Sequence, residues 1–504
     1  MFHATDSHIF FLQFSHFCFH LLKIMLYNTD NETKTQTLLK GCDDMKKTTM
    51  MMTMFSVLLA FSATGCNSVS TDVSTSIAEE QAETNSGADT SADTAETSST
   101  RETITFNINS DNTASETAVS SEESAGTAVT ASYVASENSL IETADLFSSR
   151  DLEQSADLTD AQYLTVSDND TINITEAGVY VISGTAQECT IRIEAGEEDK
   201  VQLVLDGVNI TNTDFPAMYV ISADKVFFTT TAGTENNLTV SGTFRADGDT
   251  NTDAVIYSKE DLVLNGTGTL NITSASGNGI TSKDDMKFTG GTYTVNAGKD
   301  AIEANDSIAV CGGTFTLNAN KDAMHCENDE SEGYIYIADG TFAINSASDG
   351  IQATSILQID GGTFNIKSAE GLEATYIQIN GGTIYIEASD DGINATSKSS
   401  AYSVIVEFNG GDTTIIMGQG DTDAVDANGS IHVNGGTINI TAPTSSFDYD
   451  MSAEYNGGTI IINGEQVSEI PQSMMGGGGF GGGNFGGGGF GGNHGGRGGF
   501  GNRT

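Results

Sequence analysis

Two short motifs alternate along residues 253–464. The first is a Gly-Gly-Thr turn followed by alternating apolar residues, and its copies begin at Gly290, Gly312, Asp339 (aspartate replacing the first glycine, with Gly340 and Thr341 following), Gly361, Gly381, Gly435 and Gly457. The second is an acidic residue followed by a small, an apolar and a polar residue. Its copies begin at Asn278 (an amide variant), Asp300, Asp322, Asp349, Glu370, Asp391 and Asp423. Copies recur every roughly 20 to 27 residues, with one longer repeat near 395–420, and self-similarity at this period indicates a solenoid.

Each repeat contains short segments of strict apolar–polar alternation, and no segment has the period of a crossover helix. The sequence therefore predicts an all-β parallel β-helix whose coils stack about 4.8 Å apart. Phe315 and Leu317 should point inward, as should the alanines after the second motif. The paired glycines should supply positive-φ turns. These inward alanines are Ala304, Ala353, Ala374, Ala395 and Ala427.

The N-terminal region divides into three segments before the repeat. Residues 1–44 show no periodicity, and we expect them to be untranslated upstream sequence, with a genuine extension as the alternative. Residues 45–66 have a basic start, an apolar run and a small-residue site ending in Cys66, which is typical of a lipoprotein signal peptide lipidated at that cysteine. Residues 67–139 are rich in Ser, Thr, Ala and acids, which predicts a disordered tether.

The ordered domain should span residues 140–470. We expect the segment 145–158 to cap the first coil, because an open solenoid end exposes unpaired strand edges. Strand-like runs between 178 and 230 are interpreted as early, irregular coils. Residues 471–504, rich in Gly and Phe, should form a flexible tail.

Net charge excludes one class of partner. The chain carries a formal charge of −49, whereas phosphate binding needs a basic surface, so nucleic acid is not expected as a partner. Beyond the signal segment no apolar run is long enough to span a bilayer, which leaves the lipid as the only expected membrane contact. Cys189, Cys311 and Cys326 occupy unrelated repeat positions and are expected to be buried, inert thiols.

The acidic motif positions should stack in register. Two carboxylates about 5 Å apart repel by about 3.5 kcal/mol at an effective dielectric near 20, so a column of them must be protonated, hydrated or bridged by a cation. Calcium suits oxygen-only donors. The alternative is turn capping, in which each carboxylate accepts backbone N–H groups. The predicted metal-ligating residues are Asp284, Asp285, Asp300, Glu303, Asp322, Asp349, Glu370, Glu373, Asp391, Asp423 and Asp426.

Ser282-Lys283-Asp284-Asp285 repeats the pattern of Ser258-Lys259-Glu260-Asp261 one coil earlier. An acidic pair beside a lysine could provide calcium and a catalytic base. A repeated surface ion pair is the alternative, and we assign no catalytic residue, with Lys283 as the candidate if one exists.

Exposed aromatic rings could stack on sugars. Tyr257, Tyr334, Tyr336, Tyr385 and Tyr402 are the candidates, and the outward column beside the acids supplies further polar contacts. The predicted carbohydrate-binding residues are Tyr336, Tyr385, His325, Gln352 and Asn394.

Several motifs in the same order resemble the bacterial carbohydrate-binding domain-containing β-helix proteins. They are the run at 145–152, Val201–Val208, Thr234–Leu238, Ser282–Asp285 and the two repeat motifs. The resemblance implies a right-handed parallel β-helix, similar in shape to pectate lyases, that carries calcium and binds cellulose and acidic sugars.

Three functions remain open at this point. The first is a non-catalytic, membrane-anchored extracellular protein that binds cellulose or pectin-like polysaccharide, with calcium on the β-helix. The second is a polysaccharide lyase using Lys283 as base. The third is a structural adhesin in which residues 476–504 make the contact. The oligomeric state is not predicted.

Overall fold

The structure, a computed structural model, describes residues 129–136, 139–328, 332–420 and 422–471, all within one compact unit, Ala118–Thr504. These residues form strands and turns, and none of them is helical. Across these ranges no helix has the length and hydrophobicity required to cross a bilayer. The predicted signal peptide, most of the tether and all but the first residue of the tail lie outside them.

Each complete coil contributes one strand to each of three parallel arrays, which we name sheets A, B and C in chain order within a coil. Sheet A carries the acidic motif, sheet B follows it, and sheet C carries the Gly-Gly-Thr motif. The long strands Gly178–Gln187 and Lys200–Asn212 run through both B and C. Sheet A has 12 strands, which sets the number of coils.

The strands of sheet A are Thr171–Ile174, Thr190–Glu194, Met218–Ser222, Ala254–Ser258, Asn278–Ser282, Ile302–Ala304, Met324–Cys326, Asp349–Ala353, Glu370–Ala374, Ile393–Ala395, Asp423–Ala427 and Ser445–Tyr449. The remaining strands of sheet B are Gln162–Thr165, Lys225–Thr230, Leu262–Gly266, Asp285–Phe288, Ser307–Val310, Tyr334–Ile337, Ile356–Ile359, Tyr376–Ile379, Ile405–Phe408, Ser430–Val433 and Ser452–Tyr455. Those of sheet C are Glu235–Val240, Thr269–Ser274, Thr292–Ala297, Thr314–Ala319, Thr341–Ser346, Thr363–Ser368, Thr383–Ala388, Asp412–Met417, Thr437–Thr441 and Thr459–Ile462, with Glu465–Val467 pairing antiparallel at the end.

The strand register confirms the parallel β-helix. Ile302 lies beside Met324 in the next coil, Met324 beside Ile351, and Ile393 beside Val425, so the repeat length varies while the register is kept. The extra residues are accommodated in the turns. The early coils, from Gly178 onward, follow the same three-sheet plan.

A continuous apolar interior runs through the coils. Phe315 and Leu317 are buried as predicted, and so are the five alanines after the acidic motif. Four rings of sheet C stack along the axis: Tyr293, Phe315, Phe342 and Phe364, with centroid separations of 5.2, 4.7 and 4.6 Å. Identical positions in successive coils therefore pack on one another, so repeating an aromatic residue at the same position stabilises the stack.

The two glycines of the Gly-Gly-Thr turn have different roles. Gly382 has a φ of +90°, which L side chains resist, as the sequence predicted. Gly381 is required for a different reason: a Cβ there would lie 2.4 Å from the carbonyl oxygen of Asp360 in the preceding coil. The first glycine allows close stacking, and the second makes the turn.

The prediction that residues 145–158 cap the first coil is wrong. Residues 139–154 form a segment that we call the strap. The strap runs along the outside of sheet B. Leu146 and Phe147 pack on Ala309, Cys311 and Tyr336. At one end Gln358 Oε1 accepts from Leu140 N–H at 3.0 Å, and at the other Gln154 Oε1 accepts from Gly266 N–H at 3.0 Å. Several outward residues of these sheet B strands are apolar, including Ala309 and Tyr336, and the strap covers them.

The three described cysteines are buried and unpaired by disulfides, as predicted. Burial raises the pKa of the Cys311 thiol to about 12 and also raises that of Cys189. These thiols are poor nucleophiles and poor metal ligands at neutral pH.

Candidate functional site: the acidic ladder

Two parallel columns of polar side chains follow sheet A, and together we call them the acidic ladder. The first column is made of the acidic motif residues, with Asp349 beside Glu370 in the strand register. The second points outward, with Glu303, His325, Gln352, Glu373, Asn394 and Asp426 in successive register. The register predicted from the sequence is confirmed.

Backbone capping and an outward-facing oxygen coexist in the first column. Asp322 N–H donates to Asp300 Oδ1 at 2.9 Å, and Asp349 N–H donates to Asp322 Oδ1 at 3.0 Å. Asp423 N–H donates to Asp391 Oδ1 at 3.1 Å. Turn capping is thus correct for these carboxylates. Because it occupies one oxygen of each, the second oxygen can still meet a cation.

The N-terminal half of the ladder carries its own positive charges. Lys321 Nζ lies 3.1 Å from Asp300 Oδ2 and 3.3 Å from Asp322 Oδ2, and His325 Nδ1 lies 3.7 Å from both oxygens. Burial alone would raise the pKa of Asp300. The nearby His325 ring, the hydrogen bond from Asp322 N–H and the Lys321 charge outweigh it and hold that pKa below its usual value. Lys283 similarly pairs with Glu303 at 2.7 Å.

The C-terminal half, which begins at Asp349, is acidic and far less compensated. Ligand oxygens of Asp349, Glu370 and Glu373 all lie within 4.8 Å of one another, and Asp349 and Glu373 are buried. Gln352 Nε2 donates to both Asp349 and Glu373. Lys398 Nζ, 3.0 Å from Glu373 Oε2, is the cation that reaches this group among the described ion pairs. Three carboxylates thus share one lysine.

Crowding shifts the pKa values in this half upward. Burial, and then the charges of Asp322, Glu373 and Glu370, raise the pKa of Asp349 to about 8. Burial also raises the pKa of Glu370 to about 7, against a hydrogen bond from Asn394, with Glu373 and Asp391 adding to the rise. The same causes bring Asp391 to a pKa of about 7 and Asp426 to about 6. At neutral pH the Asp349 carboxyl retains its proton unless a cation replaces it, and Glu370 and Asp391 are partly protonated.

Asp284 and Asp285 lie apart from the ladder, at the turn from sheet A to sheet B. There they join Asp261 in a second acidic group, with ligand oxygens within 4.8 Å of one another. Burial and the charges of Asp261 and Asp285 raise the pKa of Asp284 to about 6. Lys225 Nζ, 3.5 Å from Asp261, partly offsets this group.

The tyrosines predicted to be exposed for sugar stacking differ in their actual exposure. Tyr257 and Tyr336 are buried, so the expectation that they are exposed for sugar stacking is wrong. Tyr336 points outward from sheet B as its parity required, but the strap covers it and its hydroxyl donates to Asp360 at 2.9 Å. Tyr385 is half-buried on sheet C and donates to Glu387. The predicted carbohydrate-binding set is therefore spread over three faces: His325, Gln352 and Asn394 on sheet A, Tyr336 on B and Tyr385 on C.

Sequence reasoning missed the residues that divide the ladder. Lys299 and Lys321 precede the first two acidic motifs, whereas Ser348, Ala369, Asp390 and Thr422 occupy that position in later repeats. The loss of lysine from this position in the later repeats is visible in the sequence and could have predicted the division of the ladder. Lys398 could not have been found this way, because it reaches Glu373 from the turn of another coil.

The donor set of the acidic half fits calcium. It offers carboxylate oxygens from three residues and a side-chain amide, which are hard ligands of flexible geometry. Gln352 Oε1 would join them if its amide turned over, an exchange of nearly isosteric atoms. The group of Asp349, Glu370 and Glu373 itself contains no cysteine or histidine, so it is not a zinc-type donor set.

The fold and this surface define a parallel β-helix with a polar, acidic face. The family of carbohydrate-binding domain-containing proteins matches residues 168–424 and 376–477, and the chain belongs to this family. The family resemblance is thereby confirmed.

Two individual proteins are similar to parts of the chain. A carbohydrate-binding domain-containing protein of Acetivibrio thermocellus is 39% identical over 136 residues, which are 27% of this chain and 47% of that protein. The match thus spans about half the length of this curated relative. The solved structure of a polysaccharide lyase-like protein from C. thermocellum, a gadolinium derivative, aligns with 23% identity and a TM-score of 0.30, covering 60% of this chain and 94% of that one.

Proposed function

We propose that this protein is a non-catalytic polysaccharide-binding protein of plant cell-wall glycans, in which calcium on the acidic half of the ladder bridges uronate carboxylates. The observation that carries the proposal is the group of Asp349, Glu370 and Glu373. Their oxygens converge within 4.8 Å and share Lys398 as their paired cation. A divalent cation relieves their repulsion, and it can complete its coordination shell with a second set of oxygens from a polymer.

The overall charge makes the cation necessary for an acidic polymer. The chain has a formal charge of −49, and a pectin-like chain carries a carboxylate on each uronate. Direct contact between these surfaces would place like charges together without compensation. Calcium held by the protein and completed by the polymer turns this repulsion into binding.

Co-sedimentation with calcium-gelled or calcium-free polygalacturonate tests this function. We expect binding in calcium and its loss in excess chelator. The matched pair of variants is Glu370→Gln, which removes one ladder charge, and Asp412→Asn, which removes an exposed charge at the start of a sheet C strand. Glu370→Gln should weaken binding, whereas Asp412→Asn should not. Uronate binding that survives the chelator would refute the proposal.

We infer no catalysis from the position of Lys283. Its Nζ is engaged with Glu303 Oε1 at 2.7 Å, whereas a general base needs a free lone pair aimed at the substrate. The family description, which names binding, supports the same inference. Incubation with polygalacturonate at alkaline pH in calcium should give no unsaturated oligouronides. Their appearance, and their loss in Lys283→Ala, would favour a lyase.

We also propose that the protein is held at the outside of the cell membrane by a lipid on Cys66. The support is the sequence pattern of residues 45–66. A tether of the length of 67–139 would extend up to about 240 Å when fully stretched. Metabolic labelling with a palmitate analogue should mark the wild type but not Cys66→Ala, and labelling of both would contradict the anchor.

A further inference from the structure

A groove of about 760 Å³ opens at the edge where sheet A turns into sheet B, apart from the acidic ladder. Its walls come from two places in the chain. One wall contains Asp306 from one coil and Asn328 and Tyr334 from the next, and the other contains Tyr402. The volume lies within the range of about 300–1,000 Å³ in which proteins hold small ligands.

The long repeat forms the second wall. Between the A and B strands, residues 396–404 replace a turn that in the preceding coil is the single residue Thr375. Lys398 and Ser399 donate their backbone N–H groups to Thr375 Oγ1 at 3.0 and 2.8 Å, which fixes the base of the segment. Thr375 is fully buried. The segment beyond it carries Tyr402 to a groove that it shares with Tyr334, whose strand lies three coils away, about 14 Å at 4.8 Å per coil.

The lining combines aromatic rings with oxygen and amide groups. Tyr402 is 40% exposed, and Tyr334 is half-buried in the same groove. Asp285, Asp306 and Glu332 provide carboxylates, and no Lys, Arg or His is among the described lining residues. An anionic sugar would meet three like charges here with no counter-charge. A neutral sugar would place an apolar ring face on tyrosine and donate its hydroxyls to the carboxylates.

We propose that this groove binds an uncharged, hydroxyl-rich saccharide chain directly, without a metal ion, and that Tyr402 is its stacking platform. The inference rests on the proposed polysaccharide-binding function but uses a different surface. The protein thus has two binding faces of different chemistry: the ladder takes uronates through calcium, and the groove takes neutral saccharides in its absence.

Titration calorimetry of the full chain in EDTA tests the groove, with cellohexaose, xylohexaose and mannohexaose as neutral probes and trigalacturonate as the anionic one. We expect at least one neutral probe to bind and trigalacturonate not to bind. Tyr402→Ala should weaken neutral binding about tenfold, the loss of one ring stack, and Tyr402→Phe should retain it. The matched control is Tyr163→Ala, since Tyr163 is a 70% exposed tyrosine in the first sheet B strand.

Each of these results would overturn the proposal: no neutral probe binds, Tyr402→Ala binds like the wild type, or trigalacturonate binds equally well in EDTA. Equal weakening by Tyr163→Ala would also overturn it, as non-specific aromatic contact. Thermal unfolding of each variant verifies folding. The calcium-dependent co-sedimentation with polygalacturonate is measured on the same samples. If polygalacturonate binding fails while a neutral probe still binds, only the proposed ladder function is refuted. If polygalacturonate binds and no neutral probe does, only the proposed groove site is refuted.

Discussion

Equivalent aspartates in different coils of this protein have pKa values shifted in opposite directions. The pKa of Asp300 is held low, whereas that of Asp349, two acidic motifs further along, is raised to about 8. Both are buried. The difference comes from their neighbours: Lys321 and His325 lie against Asp300, whereas further carboxylates surround Asp349. Backbone register places the charges, and the residues beside them decide whether a site is satisfied or in need of a cation.

The raised pKa values predict how stability depends on pH. Asp349, Glu370 and Asp391 bind protons more tightly when folded than when unfolded, so their contribution to stability is full below about pH 4 and is lost as pH rises to about 8. We expect Tm in EDTA to fall between pH 5 and 8.5, and calcium to restore it. The depressed pKa of Asp300 acts only below its usual value, outside this interval.

Scanning calorimetry across this pH range measures the effect. Glu370→Gln should flatten the decline, because it removes one of the crowded charges, whereas Asp412→Asn should leave the slope unchanged. A Tm in EDTA that rises over the same interval would show that the ladder carboxylates are not crowded in solution.

Lys299 and Lys321 occupy equivalent repeat positions, so substitutions at these two lysines form a matched test of the N-terminal half of the ladder, whose carboxylates are paired with positive charges. Lys321 contacts the buried carboxylates of Asp300 and Asp322, whereas Lys299 contacts Asp253 alone. Lys321→Met should cost about 1–2 kcal/mol at pH 7, less than for a fully buried pair because this lysine is 48% exposed. Lys299→Met should cost less than about 1 kcal/mol. Urea denaturation gives both numbers, and equal costs would contradict the division of the ladder.

Among the structural elements, the strap is one whose position was predicted incorrectly, and the reason is physical. The sequence predicts that segment 145–158 caps the first coil, whereas residues 145–154 lie in the strap outside sheet B. The outward side chains of sheet B at Phe227, Val263, Ala309 and Tyr336 are buried. Alternation within one strand reveals such apolar outward positions. It does not reveal which distant segment covers them, because that is a tertiary contact.

Removing the main strap contact should expose one particular thiol. Phe147 packs in the cluster that contains Cys311. We expect Phe147→Ala to cost about 2–4 kcal/mol and to increase alkylation of Cys311 by iodoacetamide. Cys326, which lies in the interior of the coils, is the internal control and should stay protected. Peptide mapping by mass spectrometry separates the two sites, and equal labelling of both would indicate global unfolding instead of strap release.

At the scale of the whole molecule, the fold was predictable and the surface only partly so. Repetition with alternation determines the coil, the interior and the ladder register, because stacked strands place equivalent residues at the same backbone position in each coil. Charge compensation depends on residues that break the repeat. Lys321 is visible in the sequence, whereas Lys398 and Tyr402 act through the long segment 396–404, whose path no periodicity describes.

Carboxylates paired with positive charges and carboxylates that largely lack them occupy different parts of the ladder along the β-helix axis. Its compensated coils precede its acidic coils, so a calcium-dependent contact should form toward the C-terminal half of the β-helix. The groove that contains Tyr334 and Tyr402 lies at an edge of sheet A, apart from the ladder. Polymer chains of two chemistries could therefore be held by one protein without competing for the same residues.

The most direct measurement is the anomalous diffraction of a crystal grown with calcium and recorded at a long wavelength. We expect a calcium peak about 2.3–2.6 Å from carboxylate oxygens of Asp349, Glu370 and Glu373. We expect none between Asp300 and Asp322, where Lys321 already supplies the positive charge. Calcium bound at Asp300 and Asp322, with none at Asp349, would refute the proposed calcium site.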